Sequence, residues 1–278
     1  MMKMKRGKYC FNAAALAAIA ALCGYSGADA APSAKDASAA QAQTDKKARE
    51  KAAIEAKQVW QKDFKRGAVE DRFMKLNADP EPGLSSGFSA IFDGRTLKGW
   101  RTTTGSARFE VDGGVIRGTR NPADGLNSFL ATEKSYRNFI LTLEYRWVEN
   151  GNSGVMVRAG INGQGRVAGP QIEIETDNRR RWTGGIYGEA AGAWKYSLSR
   201  EDHEAARGAV KDYGAWNRLT VKCDGGRIQT WVNGVPCADF DSSSDKDLSK
   251  YKEGFVALQV HAGGSGISEF RNIKIREL

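Results

Sequence analysis

From residue 84 to the C-terminus, the chain consists of short runs in which apolar and polar residues alternate, separated by Gly, Asn and Asp. Successive side chains of an extended strand point to opposite faces, so each run predicts a strand with one buried face. The predicted strands cover residues 89–92, 109–111, 115–117, 129–131, 139–147, 154–158, 171–175, 217–224, 227–232, 235–240, 254–261 and 270–276. Only residues 199–210 have a helical pattern. Many short strands with little helix predict an all-β fold, a sandwich of two antiparallel sheets.

Two tight turns set the pairing of three consecutive strands. Gly225-Gly226 and Asn233-Gly234 are typical two-residue hairpin turns. They pair 217–224 with 227–232 and then with 235–240, and they place Cys223 and Cys237 on the core face. These two cysteines then lie two strand spacings apart, about 9.5 Å, which is too far for a disulfide. We therefore predict two buried free thiols.

One predicted strand carries three acid-type side chains on a single face. Residues 169–178 read GPQIEIETDN, in which Gln171, Glu173 and Glu175 alternate with Ile172 and Ile174. The isoleucines are expected in the core. The polar face has two interpretations: a solvated surface neutralised by nearby Arg or Lys, or the floor of a cleft in which carboxylates serve chemistry or bind sugar hydroxyls.

Other strands also direct polar or aromatic side chains away from the predicted core. These residues are Glu144, Arg146, Arg158, Gln229, Trp231, Gln259 and His261. Planar hydrogen-bonding groups around an aromatic platform suit a sugar ligand. If all of them share one concavity with Glu173 and Glu175, at least one of these carboxyls should have a pKa above its usual value of about 4.3.

Composition and motifs exclude several functional classes. The net charge of +9 is diffuse apart from NRRRW at residues 178–182, so nucleic acid is not an expected partner. Neither a phosphate-binding glycine loop nor a G-x-S-x-G elbow is present. With only His203 and His261 in the chain, a three-His zinc site is impossible. His203 lies in a charged segment and is expected to be solvated, whereas His261 ends a strand and is a site candidate.

The N-terminal part has a different composition. Residues 1–30 combine a basic start, an apolar run at 11–22 and an A-x-A sequence at 28–30, which predicts a secretory signal peptide and a periplasmic or secreted protein. The apolar run is too short to be a transmembrane segment. A lipoprotein anchored at Cys23 is the less favoured alternative, because bulky Leu22 precedes the cysteine. Residues 31–83, rich in Ala and Lys, predict a linker or helix before the domain at 84–278.

Seven segments resemble one protein family, in that family's order. They are GFSAIFDGRTLKGW (87–100), FEVDGGVIRGT (109–119), LEYRWVENGNSGVMVR (143–158), GPQIEIETDN (169–178), GGIYGE (184–189), WNRLTVKCDGGRIQTWVNG (216–234) and FVALQVHAGGSGISEFRNIKI (255–275). Together they resemble the 3-keto-disaccharide hydrolase family. Two places depart from the family pattern: the family's G-x-E-x-Q is GPQIE here, and its L-Q-D-H-G is LQVHA.

The resemblance implies a concanavalin-like, laminin-G-like jelly roll that acts on glycosides carrying a C3 ketone. Such a ketone acidifies the C2 proton, so the reaction needs a base, an acid and a group that stabilises the enolate. The catalytic candidates are Glu173, His261 and Arg158. The substrate-binding candidates are Gln171, Glu175, Glu144, Arg146, Tyr187, Gln229, Trp231 and Gln259. The cofactor is open; a divalent metal ion held by Glu173, Glu175 and His261 is conceivable.

Two other functions remain open at this point. A noncatalytic carbohydrate-binding module would use Trp231 and the polar face to bind a glycan. A conventional glucanase would use Glu173 with Glu175, whose Cα atoms lie about 6.8 Å apart by strand rise, and one of them would need a raised pKa.

Overall fold

The computed structural model describes residues 43, 68–70, 74–149, 151–175, 180–263 and 266–278. The predicted signal peptide and most of the predicted linker lie outside these residues; within the linker, residues 43, 68–70 and 74–83 are described. Within the described part, no helix is long and apolar enough to span a membrane.

Sixteen strands form in the described residues. They are β1 (Lys75–Leu76), β2 (Ser89–Ala90), β3 (Trp100–Thr103), β4 (Arg108–Asp112), β5 (Val115–Thr119), β6 (Ser128–Tyr136), β7 (Phe139–Trp147), β8 (Asn152–Ile161), β9 (Val167–Glu175), β10 (Ile186–Glu189), β11 (Ala193–Tyr196), β12 (Asn217–Asp224), β13 (Arg227–Val232), β14 (Val235–Asp241), β15 (Gly254–Val260) and β16 (Ile267–Glu277). One short helix, α1 (Glu204–Gly208), follows a 3₁₀ turn at Glu201–His203. The all-β prediction and the helical interpretation of 199–210 are confirmed.

The strands form two antiparallel sheets. Sheet A has the order β1-β14-β13-β12-β7-β16-β5-β4, with β2 paired to β16, and sheet B has the order β11-β10-β9-β8-β15-β6-β3. The pairing predicted from the two turns is present: Asp224 lies opposite Arg227, and Val232 lies opposite Val235. Asn233 and Gly234 have φ values of 51° and 90°, the left-handed conformation that this hairpin turn requires.

The hydrophobic core contains the apolar faces of strands from both sheets. Five alternate residues of β7 are at most 5% exposed: Phe139, Leu141, Leu143, Tyr145 and Trp147. Ile172 and Ile174 of β9 belong to the same cluster. Each fully buried large apolar side chain contributes roughly 1.5–3 kcal/mol. Cys223 and Cys237 are buried free thiols, as predicted.

Four short strands of two to four residues were not predicted from the sequence. They are β1, β3, β10 and β11. Of these, β10 matters most for function, because it pairs with β9 and places Tyr187 opposite Gln171 and Glu189 opposite Gly169.

The polar faces of the two sheets do not form one surface. Strands β7, β12 and β13 belong to sheet A, whereas β8, β9 and β15 belong to sheet B. Because the core occupies the inner faces, the polar faces of the two sheets point to opposite sides of the sandwich. The expected single concavity is therefore wrong, and the candidate residues divide between the two faces.

Candidate active site

A cleft of about 790 Å³ lies over the outer face of sheet B. Its polar and aromatic lining comprises Asn127, Asn152, Arg166, Gln171, Glu173, Arg180, Tyr187, Glu189, Trp194, Gln259 and His261. The turn between β10 and β11 forms one wall. We call this cleft the Glu173 cleft. Of the sequence-predicted site residues, it contains Glu173, His261, Gln171, Gln259 and Tyr187.

Glu173 is a nearly buried carboxyl on the cleft floor, 4% exposed. Asn152 Nδ2 donates a hydrogen bond to its Oε1, and Gln171 Nε2 donates to its Oε2 at 3.0 Å. Burial, and after it the negative charge of Glu175, raise the pKa of Glu173 to about 8, although the Asn152 and Gln171 amides and the Arg180 guanidinium each lower it. The expectation that one carboxyl of this strand has a raised pKa is confirmed.

A chain of side-chain amides fixes the position of this carboxyl. Gln259 Nε2 donates to Gln171 Oε1 at 2.7 Å, and Gln171 in turn donates to Glu173. Oε1 of Gln259 is buried without a hydrogen-bond partner in the described structure. Gly154, opposite Glu173 in β8, makes room for Gln171: a Cβ there would lie 2.4–2.6 Å from Cδ, Cγ and Nε2 of that side chain.

Glu175 does not face the cleft, although it shares the strand face of Glu173. It is fully buried; Arg180 Nη2 donates to its Oε1 at 2.5 Å and the Trp182 backbone N–H to its Oε2 at 3.1 Å. The Arg180 guanidinium lies over the rings of Trp182 and Trp194. The substrate-binding prediction for Glu175 is therefore wrong, because its two oxygens are committed to a buried ion pair and the backbone.

His261 lies at the end of β15, in the wall of the Glu173 cleft. The Gly263 backbone N–H donates to its Nδ1 at 2.8 Å. Nδ1 also lies 3.4 Å from Gly263 O, but the bond from the N–H is the shorter of the two. A backbone N–H only donates, so this shorter bond makes Nδ1 the acceptor and places the proton of a neutral ring on Nε2. In this tautomer His261 is a hydrogen-bond donor.

Sequence reasoning missed a second carboxyl in the cleft, Glu189. It is 5% exposed, and burial raises its pKa. Asn127 Nδ2 donates to its Oε1 at 3.2 Å, and Arg166 Nη2 lies 3.7 Å from the same oxygen. Asn127 also accepts from the Ala262 N–H, which connects Glu189 to the residue after His261. The alternation of Tyr187 and Glu189 within GGIYGE was the available signal.

Arg158 is not in the cleft, so its predicted catalytic role is wrong. The guanidinium is 1% exposed and donates to Arg137 O at 2.5 Å, Gly225 O at 2.7 Å and Asn138 Oδ1 at 3.1 Å. A register shift in β8 and a φ of 50° at Arg158 interrupt the alternation that predicted an outward side chain. The residue instead binds the turn that connects β6 to β7 and the turn between β12 and β13.

Glu144 and Arg146 lie on the outer face of sheet A, away from the Glu173 cleft. Glu144 accepts from Arg271 Nε at 2.6 Å, and Arg146 Nε donates to buried Glu269 at 2.6 Å. The guanidiniums of Arg146 and Arg271 lie 4.7 and 4.0 Å from the Trp216 ring centroid. Their predicted part in the same site is therefore wrong.

Gln229 and Trp231 also lie on sheet A, beneath the segment that precedes the domain. Gln229 Nε2 donates to Asn77 Oδ1 at 3.0 Å and to Asp79 Oδ2 at 2.7 Å. The Trp231 indole N–H donates to Asp79 O at 2.9 Å, and its side chain is 1% exposed. Trp231 is thus no sugar platform, and the predictions for both residues are wrong.

Two further expectations differ from the structure. His203 is fully buried rather than solvated, with Nε2 2.8 Å from the Tyr196 hydroxyl. Among the described residues, no group of three or more His, Cys, Asp or Glu is arranged to hold a metal ion, so Glu173, Glu175 and His261 do not form the site considered for one.

The architecture defines a class: a jelly-roll sandwich with a carboxyl-lined cleft on the outer face of one sheet. Two crystal structures of predicted glycosyl hydrolases from Parabacteroides distasonis ATCC 8503 are similar. The first is 22% identical, with a TM-score of 0.52 over 73% of this chain and all of that one; the second is 22% identical, with a TM-score of 0.51 over 69% and 100%. At this identity the likeness establishes the fold.

Residues 87–276 match the family of the 3-keto-alpha-glucoside-1,2-lyase-like domain. The chain belongs to this family, which confirms the resemblance seen in the sequence. No curated protein sequence matches the chain. Family membership indicates a carbohydrate-related function.

Proposed function

We propose that the Glu173 cleft binds a carbohydrate and cleaves the glycosidic bond of a 3-keto-glycoside, beginning with removal of the C2 proton. The observation that carries the proposal is the Glu173 carboxyl, held by Asn152 and Gln171 on the floor of an open cleft, with burial raising its pKa. A buried carboxyl with a raised pKa is a stronger base than an ordinary one once ionised. The family to which the chain belongs supports the substrate class.

The reaction balances without an oxidant or reductant. The base takes the C2 proton, and the C2–H electron pair forms the enolate that the C3 ketone stabilises. The enolate then expels the glycosidic oxygen from C1. A C1–C2 double bond forms, and the departing oxygen receives a proton. Water adds back across the double bond, with its oxygen at C1 and a proton at C2, so the net change is hydrolysis.

Glu173 is the base in this proposal and His261 is the donor. The neutral tautomer of His261 presents Nε2–H, since Nδ1 accepts from Gly263. That proton is suited to the oxygen that gains charge, either the enolate or the leaving oxygen. Arg158, whose three donor groups bind the β6–β7 and β12–β13 turns, takes no part.

The direct test is release of 3-keto-glucose from a 3-keto-disaccharide. We expect Glu173→Gln and His261→Ala each to lower kcat/KM by roughly 10²–10⁴-fold, the usual contribution of a proton-transfer group. Glu133→Gln, an exposed carboxyl on β6, is the matched control and should retain activity. Activity unchanged in both cleft variants would refute the assignment.

A carbohydrate-binding module without catalysis is the second candidate. It is favoured by the half-buried Tyr187 ring, which packs edge-on against Trp194 at 5.6 Å beside the amide chain. Glycan binding that Tyr187→Ala abolishes, with no product released, would support it. The glucanase alternative loses its second carboxylate, because Glu175 is ion-paired with Arg180.

We also infer that the protein is exported to the periplasm or secreted, from the signal-like residues 1–30. N-terminal sequencing of the processed protein tests this inference: a mature start near Ala31 is expected, and a retained Met1 would contradict it.

A further inference from the structure

The carboxyls of Glu173 and Glu189 lie at different positions along the length of the Glu173 cleft. In the register of β10 with β9, Glu189 stands opposite Gly169, four residues from Glu173. Strand rise and spacing place their Cα atoms about 14 Å apart. Side chains on one face stand roughly perpendicular to the sheet, so the carboxyls are separated by a distance on the order of 10 Å.

This separation decides whether Glu189 acts on the same sugar ring as Glu173 or contacts a neighbouring group of the ligand. The C2 proton and the C1 oxygen of one glycoside are on adjacent carbons, so a base and an acid acting on them must almost touch the same ring. A separation on the order of 10 Å exceeds that reach for a carboxyl partner of Glu173. Glu189 therefore faces whatever occupies the next position along the cleft.

The Glu189 end of the cleft is a built polar site. The Glu189 side chain is 7% exposed. Asn127 donates a hydrogen bond to its Oε1, and Arg166 Nη2 approaches the same atom at 3.7 Å. No hydrogen bond from the described residues reaches Oε2. Tyr187, on the same face of β10, borders the position with a half-buried ring.

A nearly buried carboxyl in the lining of a cleft, beside an amide and an aromatic ring, suits a hydroxyl-rich ring. We propose that Glu189, with Asn127 and Tyr187, binds the leaving group of the substrate, and that this subsite selects a second sugar ring over a small or apolar leaving group. The inference rests on the proposed function only for the position of the cleaved bond.

Binding in a background that does not turn over the ligand tests the subsite. Glu173→Gln keeps the shape of the cleft floor and removes the base. In this background, affinities are measured by calorimetry for a 3-keto-disaccharide and for methyl 3-keto-α-glucoside, which lacks the second ring. Each is compared with the same protein carrying Glu189→Ala, and with Glu133→Gln as the control on an exposed carboxyl.

We expect the disaccharide to bind more tightly than the methyl glycoside. Glu189→Ala should weaken the disaccharide about ten- to hundredfold, the usual cost of a lost buried hydrogen bond, and the methyl glycoside less than about threefold. Rescue of disaccharide affinity by Glu189→Gln would support a hydrogen bond rather than a charge.

Equal loss for both ligands would make Glu189 a structural residue and overturn the proposal. No loss for either ligand, equal affinities of the two ligands in the parent, or no binding of either would overturn it as well. Failure of the proposed function has a different signature: the disaccharide binds as expected, yet the protein with Glu173 intact releases no 3-keto-glucose.

Discussion

Gln171 Nε2 donates a hydrogen bond to Glu173 Oε2 at 3.0 Å, along the same face of strand β9. Two residues that alternate around Ile172 thus form one unit, and Gln259 of β15 extends it by donating to Gln171. The three polar side chains that made this strand unusual in the sequence have separate roles: Gln171 holds Glu173 in the cleft, whereas Glu175 binds Arg180 beneath it.

The pH dependence of turnover distinguishes a base from an acid at Glu173. A base must be ionised, so kcat/KM should rise with pH and level off above the pKa of about 8. Below that value the slope should approach about tenfold per pH unit. A kcat/KM that falls as the pH rises through about 8 would instead assign Glu173 as an acid.

Protein stability should show the same raised pKa. The folded carboxyl holds its proton more tightly than the unfolded one, so the native state is favoured below the ordinary value of 4.5, and this advantage is lost as the pH rises through about 8. Each pKa unit corresponds to about 1.4 kcal/mol. The free energy of unfolding of Glu173→Gln, measured in urea, should therefore increase relative to the native protein across this range. A difference independent of pH would contradict the raised pKa.

Gly154 is expected to be essential for the amide chain. A Cβ at this position would contact the Gln171 side chain at 2.4–2.6 Å, so Gly154→Ala must displace that side chain from Glu173. We expect a loss of about 1–3 kcal/mol of stability and a shift of the pH profile. Gly163→Ala, with no atom within 4 Å of the added Cβ, is the control. Native activity and pH profile in Gly154→Ala would show that Gln171 does not position Glu173.

The sequence predicts which face of a strand is polar but not which sheet the strand joins. Gln229 and Gln259 have the same alternating context, yet β13 lies in sheet A and β15 in sheet B. Strand order depends on contacts between distant segments, which alternation does not encode. Core faces and hairpin pairing were predictable because they depend on local pattern and on turn residues such as Asn233-Gly234.

The positions of two further residues were not predictable from the sequence. Glu189 lies in the four-residue strand β10, where the alternation of Tyr187 and Glu189 is the only sequence signal and the strand itself was not predicted. Arg158 follows a regular alternation in sequence, but a register shift and its positive φ redirect the side chain to the β6–β7 and β12–β13 turns. The alternation of apolar and polar residues in the sequence does not indicate where such a backbone irregularity occurs.

Arg158→Met should accordingly affect folding and not chemistry. The guanidinium donates to two carbonyls and an amide oxygen while buried, and hydrogen bonds to a charged group contribute about 1.5–3 kcal/mol. We expect a lower free energy of unfolding with kcat and KM unchanged where the variant is folded. Arg95→Met, an exposed arginine, is the matched control. A loss of kcat in folded Arg158→Met would restore a catalytic role for this residue.

The most direct test of the account is the rate of 3-keto-glucose release from a 3-keto-disaccharide deuterated at C2. If ionised Glu173 removes the C2 proton, the deuterated substrate should react more slowly than the protiated one. Glu173→Gln should slow release from both by roughly 10²–10⁴-fold, while Glu133→Gln retains it. Turnover at equal rates from the two substrates, undiminished in Glu173→Gln, would contradict proton removal by this carboxyl.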